Sequence, residues 1–264
     1  MKIGVIGLGN MAGAMIGGLI AKGFVKAEEI CGSDANQEME EKRAKEFGIC
    51  IAANNRETAK EADYLILAVK PQFASEVIAE IKDNCKAGQV VISIMAGKSI
   101  EWISTQFGRE IKLVRCMPNT AALVGEAITA LSPSDNVGTE ELDTVKHIIE
   151  SFGKAEVVPE RLMDSVVGVS GSAPAYVFMM MEAMADAAVE GGMPRQQAYT
   201  FAAQAVLGSA KLMLETGKHP GELKDMVCSP AGTTIAAVRV LEENGFRGAV
   251  IDAVEAAIKR SSEL

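Results

Sequence analysis

Two stretches of this chain carry residue types whose spacing could do chemistry. The first is Gly7-Leu8-Gly9-Asn10-Met11-Ala12, which follows an apolar run ending at Ile6 and opens a segment with Met11, Met15, Ile16 and Leu19 on one helical stripe. Strand, glycine turn and helix in that order form the context of a pyrophosphate cradle. Gly7 permits the tight turn, Gly9 the close backbone approach and Ala12 the packing of helix on strand, with free N–H groups facing the anion. Asp34 follows Ala12 by 34 − 12 = 22 residues, after a second apolar run, where a dinucleotide-binding chain places an acid against the adenosine ribose. Such an acid, with no Lys or Arg at 35 to 38, leans toward NAD. Ser33, Asn36, Asn54 and Asn55 still offer donors to a 2′-phosphate, so NADP stays open beside NAD.

The second stretch is Cys228-Ser229-Pro230-Ala231-Gly232-Thr233-Thr234, lying between two helical patterns. Pro230 and Gly232 break the first helix, and Thr233 or Thr234 can cap the next, offering N–H groups and hydroxyls to a carboxylate. The acid–base inventory around these stretches is thin. His147 sits in the charged amphipathic segment Thr139 to Ser151, His219 precedes Pro220 at a turn, and Lys70 ends an apolar run. No Cys and His share metal-ligand spacing, and Gly168-Val169-Ser170-Gly171 fails the G-x-S-x-G spacing of a hydrolase. The chemistry offered is therefore binding and alignment of a small acid beside a dinucleotide.

The elements that position these residues follow from periodicity. Up to about residue 158, short β-branched runs alternate with amphipathic stretches, which predicts strand-helix-strand units on a parallel sheet. The predicted strands are Lys2 to Ile6, Glu29 to Gly32, Cys50 to Ala52, Tyr64 to Val69, Val90 to Ile94, Lys112 to Cys116 and Ala127 to Leu131. Ligands of such sheets sit at the carboxyl ends of the strands. Those ends carry Ala68-Val69-Lys70-Pro71, Met95-Ala96-Gly97 and Met117-Pro118-Asn119, the last placed by the nicotinamide. After Pro159 the pattern turns all-helical, and Ala173 to Val189 and Gln196 to Leu214 are apolar on most faces. Helices of that kind need cover, which a second copy of the chain would supply, the alternative being a self-contained bundle. The fold class expected is an α/β Rossmann-like N-terminal domain, 1–158, with an all-α C-terminal dimerisation domain, 159–264.

Composition excludes several classes. The 264 residues carry 26 basic and 35 acidic side chains, a net charge of 26 − 35 = −9, and 5% aromatics, which argues against nucleic acid as a partner. Five cysteines, Cys31, Cys50, Cys85, Cys116 and Cys228, contain no C-x-x-C pair and read as reduced thiols in the cytoplasm. The uncharged run Ile3 to Ile20 resembles a membrane span, but its six glycines and Asn10 reject that reading, so no membrane partner is expected.

The stretch Pro220 to Glu242, with Gly7 to Ala12, Ala68 to Pro71, Met95 to Gly97, Met117 to Thr120 and Ser170 to Tyr176, resembles pyrroline-5-carboxylate reductase over essentially the whole chain. The resemblance implies hydride transfer from reduced NADP or NAD to a five-membered cyclic imine carrying a carboxylate, giving proline. It implies dinucleotide contacts at Ile6, Gly7, Leu8, Gly9, Asn10, Met11, Ser33, Asn55, Ala68, Val69, Lys70, Pro71, Met95, Ala96 and Gly97. It also places the Thr234 hydroxyl near the substrate nitrogen, with the carboxylate on the N–H groups of Gly232, Thr233 and Thr234 beside Ser229. Interlocked C-terminal helices in a homodimer, assembled further into a decamer, complete the expectation. Ala35 departs from the basic residue that many bacterial relatives place there. The β-hydroxyacid dehydrogenases share the glycine-rich start, but they place a Lys beyond an interdomain G-x-G that Gly171-Ser172-Ala173-Pro174-Ala175-Tyr176 lacks.

Overall fold

The computed structural model describes residues 1–263 and divides into two compact units, Met1–Gly171 with Ile258–Leu264, and Ser172–Ala257. Strands and helices alternate through the first unit: β1 (Ile3–Ile6), α1 (Asn10–Ala21), β2 (Ile30–Ser33), α2 (Gln37–Phe47), β3 (Cys50–Ile51), α3 (Asn55–Glu61), β4 (Tyr64–Leu67), α4 (Ala74–Ile81), β5 (Val90–Ser93) and α5 (Ile100–Phe107). Then come β6 (Lys112–Met117), β7 (Ala127–Pro133), α6 (Thr139–Glu150), β8 (Gly153–Val157) and the short α7 (Met163–Val166). The second unit holds α8 (Ala173–Glu190), α9 (Arg195–Thr216), α10 (Pro220–Val227), α11 (Thr233–Glu243) and most of α12 (Phe246–Ser262).

The eight strands form one sheet in the order β3-β2-β1-β4-β5-β6-β7-β8. The pairs from β3 through β6 are parallel, as the alternating pattern requires. Two features depart from the sequence reading. Strand β7 runs antiparallel to β6, because the connection Pro118–Glu126 holds a single 3₁₀ turn and is too short for a crossover. Strand β8 carries no apolar run: Gly-Lys-Ala-Glu-Val lies at the sheet edge with its residues partly or fully exposed, so burial leaves no signal there.

Period-two alternation sends neighbouring residues into separate cores. Val5, Ile66, Ile92 and Val114 join Ala12, Met15, Ile16 and Leu19 of α1 and Ile148 and Ile149 of α6. Ile6, Leu65, Leu67, Val91 and Leu113 face Ile78 and Ile81 of α4 and Ile103 and Phe107 of α5. Side chains stop and start the helices where local chemistry demands. Asn36, Asn54 and Ser99 accept from N–H groups of the first turns of α2, α3 and α5, and Gly48 and Gly108 end α2 and α5 in the left-handed conformation. Strand order reverses at β1 and β4, so the carboxyl ends of these strands open the crevice that binds ligands in doubly wound sheets.

In the second unit α8 and α9, joined through Gly191–Pro194, pack against each other. Both are made of strong helix formers, and both leave large apolar side chains in solvent, Phe178 at 65%, Met179 at 69% and Phe201 at 66% exposure.

Candidate functional site

The glycine-rich turn is built as its residue types require. Gly7 has φ +90°, and a Cβ there would lie 2.8 Å from the backbone of Ala68, so a side chain is excluded both by conformation and by space. Gly7 N–H donates to the Ser33 carbonyl at 2.9 Å and Ala68 N–H to the Ile6 carbonyl at 2.8 Å, which ties the ends of β1, β2 and β4 together. Gly9 caps α1, and a Cβ on it would meet nothing within 4 Å. That open flank lies beside the first-turn N–H groups of α1, at Asn10, Met11 and Ala12, which have no intrahelical partner. A pyrophosphate fits such a place.

Three side chains hold the turn. Leu8, fully buried, donates its N–H to Asp34 Oδ2 at 2.6 Å, and Asn36 donates its N–H to Asp34 Oδ1 at 2.9 Å. Each Asp34 oxygen accepts one backbone N–H, so the carboxylate braces the turn and keeps a further lone pair on each oxygen. Glu40 accepts the N–H of Asp34 at 2.9 Å. Arg43, buried in the middle of α2, donates from Nε to the Leu8 carbonyl and from Nη2 to the Gly9 carbonyl, each at 3.0 Å.

Beside this turn, Ser33, Asn55 and Thr58 form a chain of hydrogen bonds. Thr58 Oγ1 donates to Ser33 Oγ, Ser33 donates to Asn55 Oδ1, and Asn55 Nδ2 donates to Glu80 Oε2, all at 2.8 Å. Cys31 and Cys50 are register partners on β2 and β3 with sulfurs 2.8 Å apart; burial first, then its neighbour, pushes the Cys31 thiol up to about 12.

The other expected cofactor residues fall on the same edge of the sheet. Ala68 and Val69 follow β4, Lys70 is exposed at the start of the 3₁₀ turn Pro71–Phe73, and Met95, Ala96 and Gly97 follow β5. Met117 ends β6, and Asn119 beyond it donates Nδ2 to the Ser170 carbonyl at 3.2 Å inside the π turn Val167–Gly171. Asn119 Oδ1 is buried without a partner, and a carboxamide N–H of a nicotinamide is a donor of the right chemistry for it. Open flank, free N–H groups and orphaned acceptor together fit a nicotinamide dinucleotide.

The substrate-type loop of the second unit is a turn from Ser229 to Gly232, closed by the Gly232 N–H on the Ser229 carbonyl at 3.0 Å. Ala231 within it has φ +54°, a left-handed conformation costing a non-glycine residue about 1–2 kcal/mol. Two expectations are corrected here. The N-cap of α11 is Gly232, whose side makes room for Ser229 Oγ, so neither Thr233 nor Thr234 caps the helix. The Gly232 N–H is occupied by the turn and is not offered to a ligand. Thr233, exposed, and Thr234, half-buried, stand in the first turn with their own N–H groups unpaired within the helix.

Residues 160–264 match the family described as pyrroline-5-carboxylate reductase dimerisation, and residues 2–97 the family described as NADP oxidoreductase, coenzyme F420-dependent. The chain is 51% identical over 263 residues to a pyrroline-5-carboxylate reductase of Escherichia coli, covering 100% of this chain and 98% of that one. A counterpart from Methanosarcina acetivorans is 46% identical over 263 residues, covering 100% and 97%. Among solved structures, a pyrroline-5-carboxylate reductase from Coxiella burnetii superposes with a TM-score of 0.94 at 34% identity, covering 99% and 97% of the two chains. A Plasmodium falciparum pyrroline carboxylate reductase with NADP bound gives a TM-score of 0.89 at 31% identity, covering 100% and 97%.

The chain belongs to the pyrroline-5-carboxylate reductases. It is accordingly an oxidoreductase that uses a nicotinamide dinucleotide, and its C-terminal half matches a dimerisation family, which suggests an oligomer. In this reductase the helical run Glu160–Glu190 is long and apolar enough in composition to cross a membrane, and it lies within the region that matches the dimerisation family. Sequence reading of the reductase missed Arg43, Thr58 and Glu80. For Arg43 a signal existed: it stands between Met39 and Phe47 at four-residue steps, in the middle of the stripe that α2 turns inward.

Proposed function

We propose that the chain reduces 1-pyrroline-5-carboxylate to L-proline with NADPH or NADH, the carboxylate of the cyclic imine held at the start of α11. A reduced dinucleotide held at the glycine turn would supply the hydride for the C=N carbon. The chain's own part is binding, orientation and one hydrogen bond. The N–H groups of Thr233 and Thr234 take the carboxylate, assisted by the positive end of α11, with the Ser229 hydroxyl beside them. The Thr234 hydroxyl meets the ring nitrogen, as donor to an imine or acceptor from an iminium. The proton on that nitrogen comes from solvent, because a cyclic imine is protonated near neutral pH, so no His or Lys is required. Alignment of two bound partners then carries the rate.

Along the dinucleotide, Gly9, Asn10 and Met11 offer backbone donors to the pyrophosphate, Ser33 and Asn55 line the adenosine side, and Asn119 Oδ1 takes the nicotinamide carboxamide. The cytoplasm is the compartment that suits five free cysteines. Dimers assembled further into a decamer are the quaternary state that the family resemblance adds.

The observation carrying this reading is the glycine turn with its open flank at Gly9, in a chain that also has a helix start bearing two threonines and no acidic residue, His or Lys in its first turn. Thr234→Ala tests it. The expected result is a loss of kcat/KM for the imine of about a hundred- to thousandfold with dinucleotide affinity unchanged. Wild-type kcat/KM in that variant would remove Thr234 from the mechanism.

A further inference from the structure

We infer that Arg43 is a positioning residue that aims the Gly9 and Asn10 N–H groups at the dinucleotide pyrophosphate, and that Gly13 lacks a side chain to make room for it. The inference rests on the cofactor reading above and adds to it a residue outside the glycine motif.

The argument starts from the peptide plane. In a trans peptide the carbonyl of one residue and the N–H of the next point in opposite directions. Arg43 Nε holds the Leu8 carbonyl and Nη2 the Gly9 carbonyl, each at 3.0 Å, so a single planar guanidinium fixes two consecutive peptides. The N–H groups of Gly9 and Asn10 are thereby turned to the side away from α2. Gly9 is the residue with the open flank. The Gly9 carbonyl also accepts the Gly13 N–H at 2.9 Å, which uses its second lone pair. On the preceding peptide Asp34 holds the Leu8 N–H, so the turn is gripped on three successive groups.

Arg43 itself is locked. Its side chain is 6% exposed, Nη1 pairs with Glu46 Oε2 at 2.6 Å, and the guanidinium lies 5.8 Å from the centre of the Phe47 ring. A Cβ at Gly13 would overlap the guanidinium carbon and lie 2.7 Å from Nη1, which explains an α1 glycine that the dinucleotide fingerprint does not call for. Lysine cannot substitute fully, because its ammonium lacks the rigid planar fork with which Arg43 meets two carbonyls and Glu46 at once.

The test measures binding directly, by the fluorescence of the reduced nicotinamide on titration with protein, alongside nucleotide-free Tm and steady-state kinetics. Arg43→Met is expected to raise the Kd for the reduced dinucleotide about tenfold, with the KM for the imine and kcat at saturating dinucleotide held within about twofold. Arg43→Lys is expected to raise it about threefold and keeps the test open if the Met variant does not fold. Gly13→Ala is expected to cost about tenfold in the wild-type background and less than about twofold in Arg43→Met, because the group it displaces is then gone. An unchanged Kd in a folded Arg43 variant, or costs of Gly13→Ala equal in both backgrounds, overturns the inference. Wild-type protein that binds neither reduced dinucleotide would instead remove the cofactor reading on which it rests.

Discussion

The turn after β1 and the turn before α11 both end in a helix start, yet they are held by different means. Gly7–Met11 is gripped from outside: Asp34 takes the Leu8 N–H, Arg43 takes two carbonyls, and Leu8 is fully buried. Ser229–Thr234 holds itself, through one hydrogen bond across four residues, a left-handed Ala231 and a glycine N-cap, with most of its residues in solvent. The first shape is fixed when the sheet forms. The second is set by local backbone preference. The glycine turn therefore depends on residues far along the chain, while the turn before α11 depends on a handful of neighbours.

Crossed substitutions sharpen this contrast. Thr234→Ala, with the largest expected effect, should leave dinucleotide binding alone. Gly9→Val should do the reverse, filling the open flank and raising the dinucleotide Kd about a hundredfold, equivalent to about 2.8 kcal/mol, while the folded state persists. A titration showing that Gly9→Val binds as the wild type would break the comparison, since the flank would then not face the pyrophosphate.

The next pair probes where backbone strain is held. Gly7→Ala combines a positive φ with overlap onto the Ala68 backbone and should lower stability by about 2–4 kcal/mol, visible in a denaturant melt. Ala231→Gly should act in the opposite sense and more weakly. Relief of about 1–2 kcal/mol of left-handed strain is offset by about 0.4–1 kcal/mol of added chain entropy in the unfolded state, so Tm should rise by about 1–3 °C. A fall in Tm would mean that the turn is held by something other than its own backbone.

Legibility in the sequence followed how local the physics is. The strand, glycine turn and helix at 3–21 could be read because each feature lies within one turn or one step of periodicity. The helical character after Pro159 and its need for a partner were legible from composition along single faces. Strand β8 was not, because an exposed edge strand needs no apolar residues, and the antiparallel β7 was missed because direction depends on connection length. Thr233 and Thr234 looked like caps because they are good capping types, but Gly232 precedes them at a position where Ser229 Oγ leaves no room for a side chain.

By itself, then, the sequence determined the chemistry: a glycine cradle and a threonine-bearing helix start that carries no acid or base in its first turn. Tertiary structure decided the assignments. It made Asp34 a brace for Leu8, brought Cys31 against Cys50 across β2 and β3, and set Arg43 under two carbonyls some 35 residues earlier in the chain. The reason is physical. Residue type limits which bonds a group can make, but which partner it reaches is settled by strand order and helix packing.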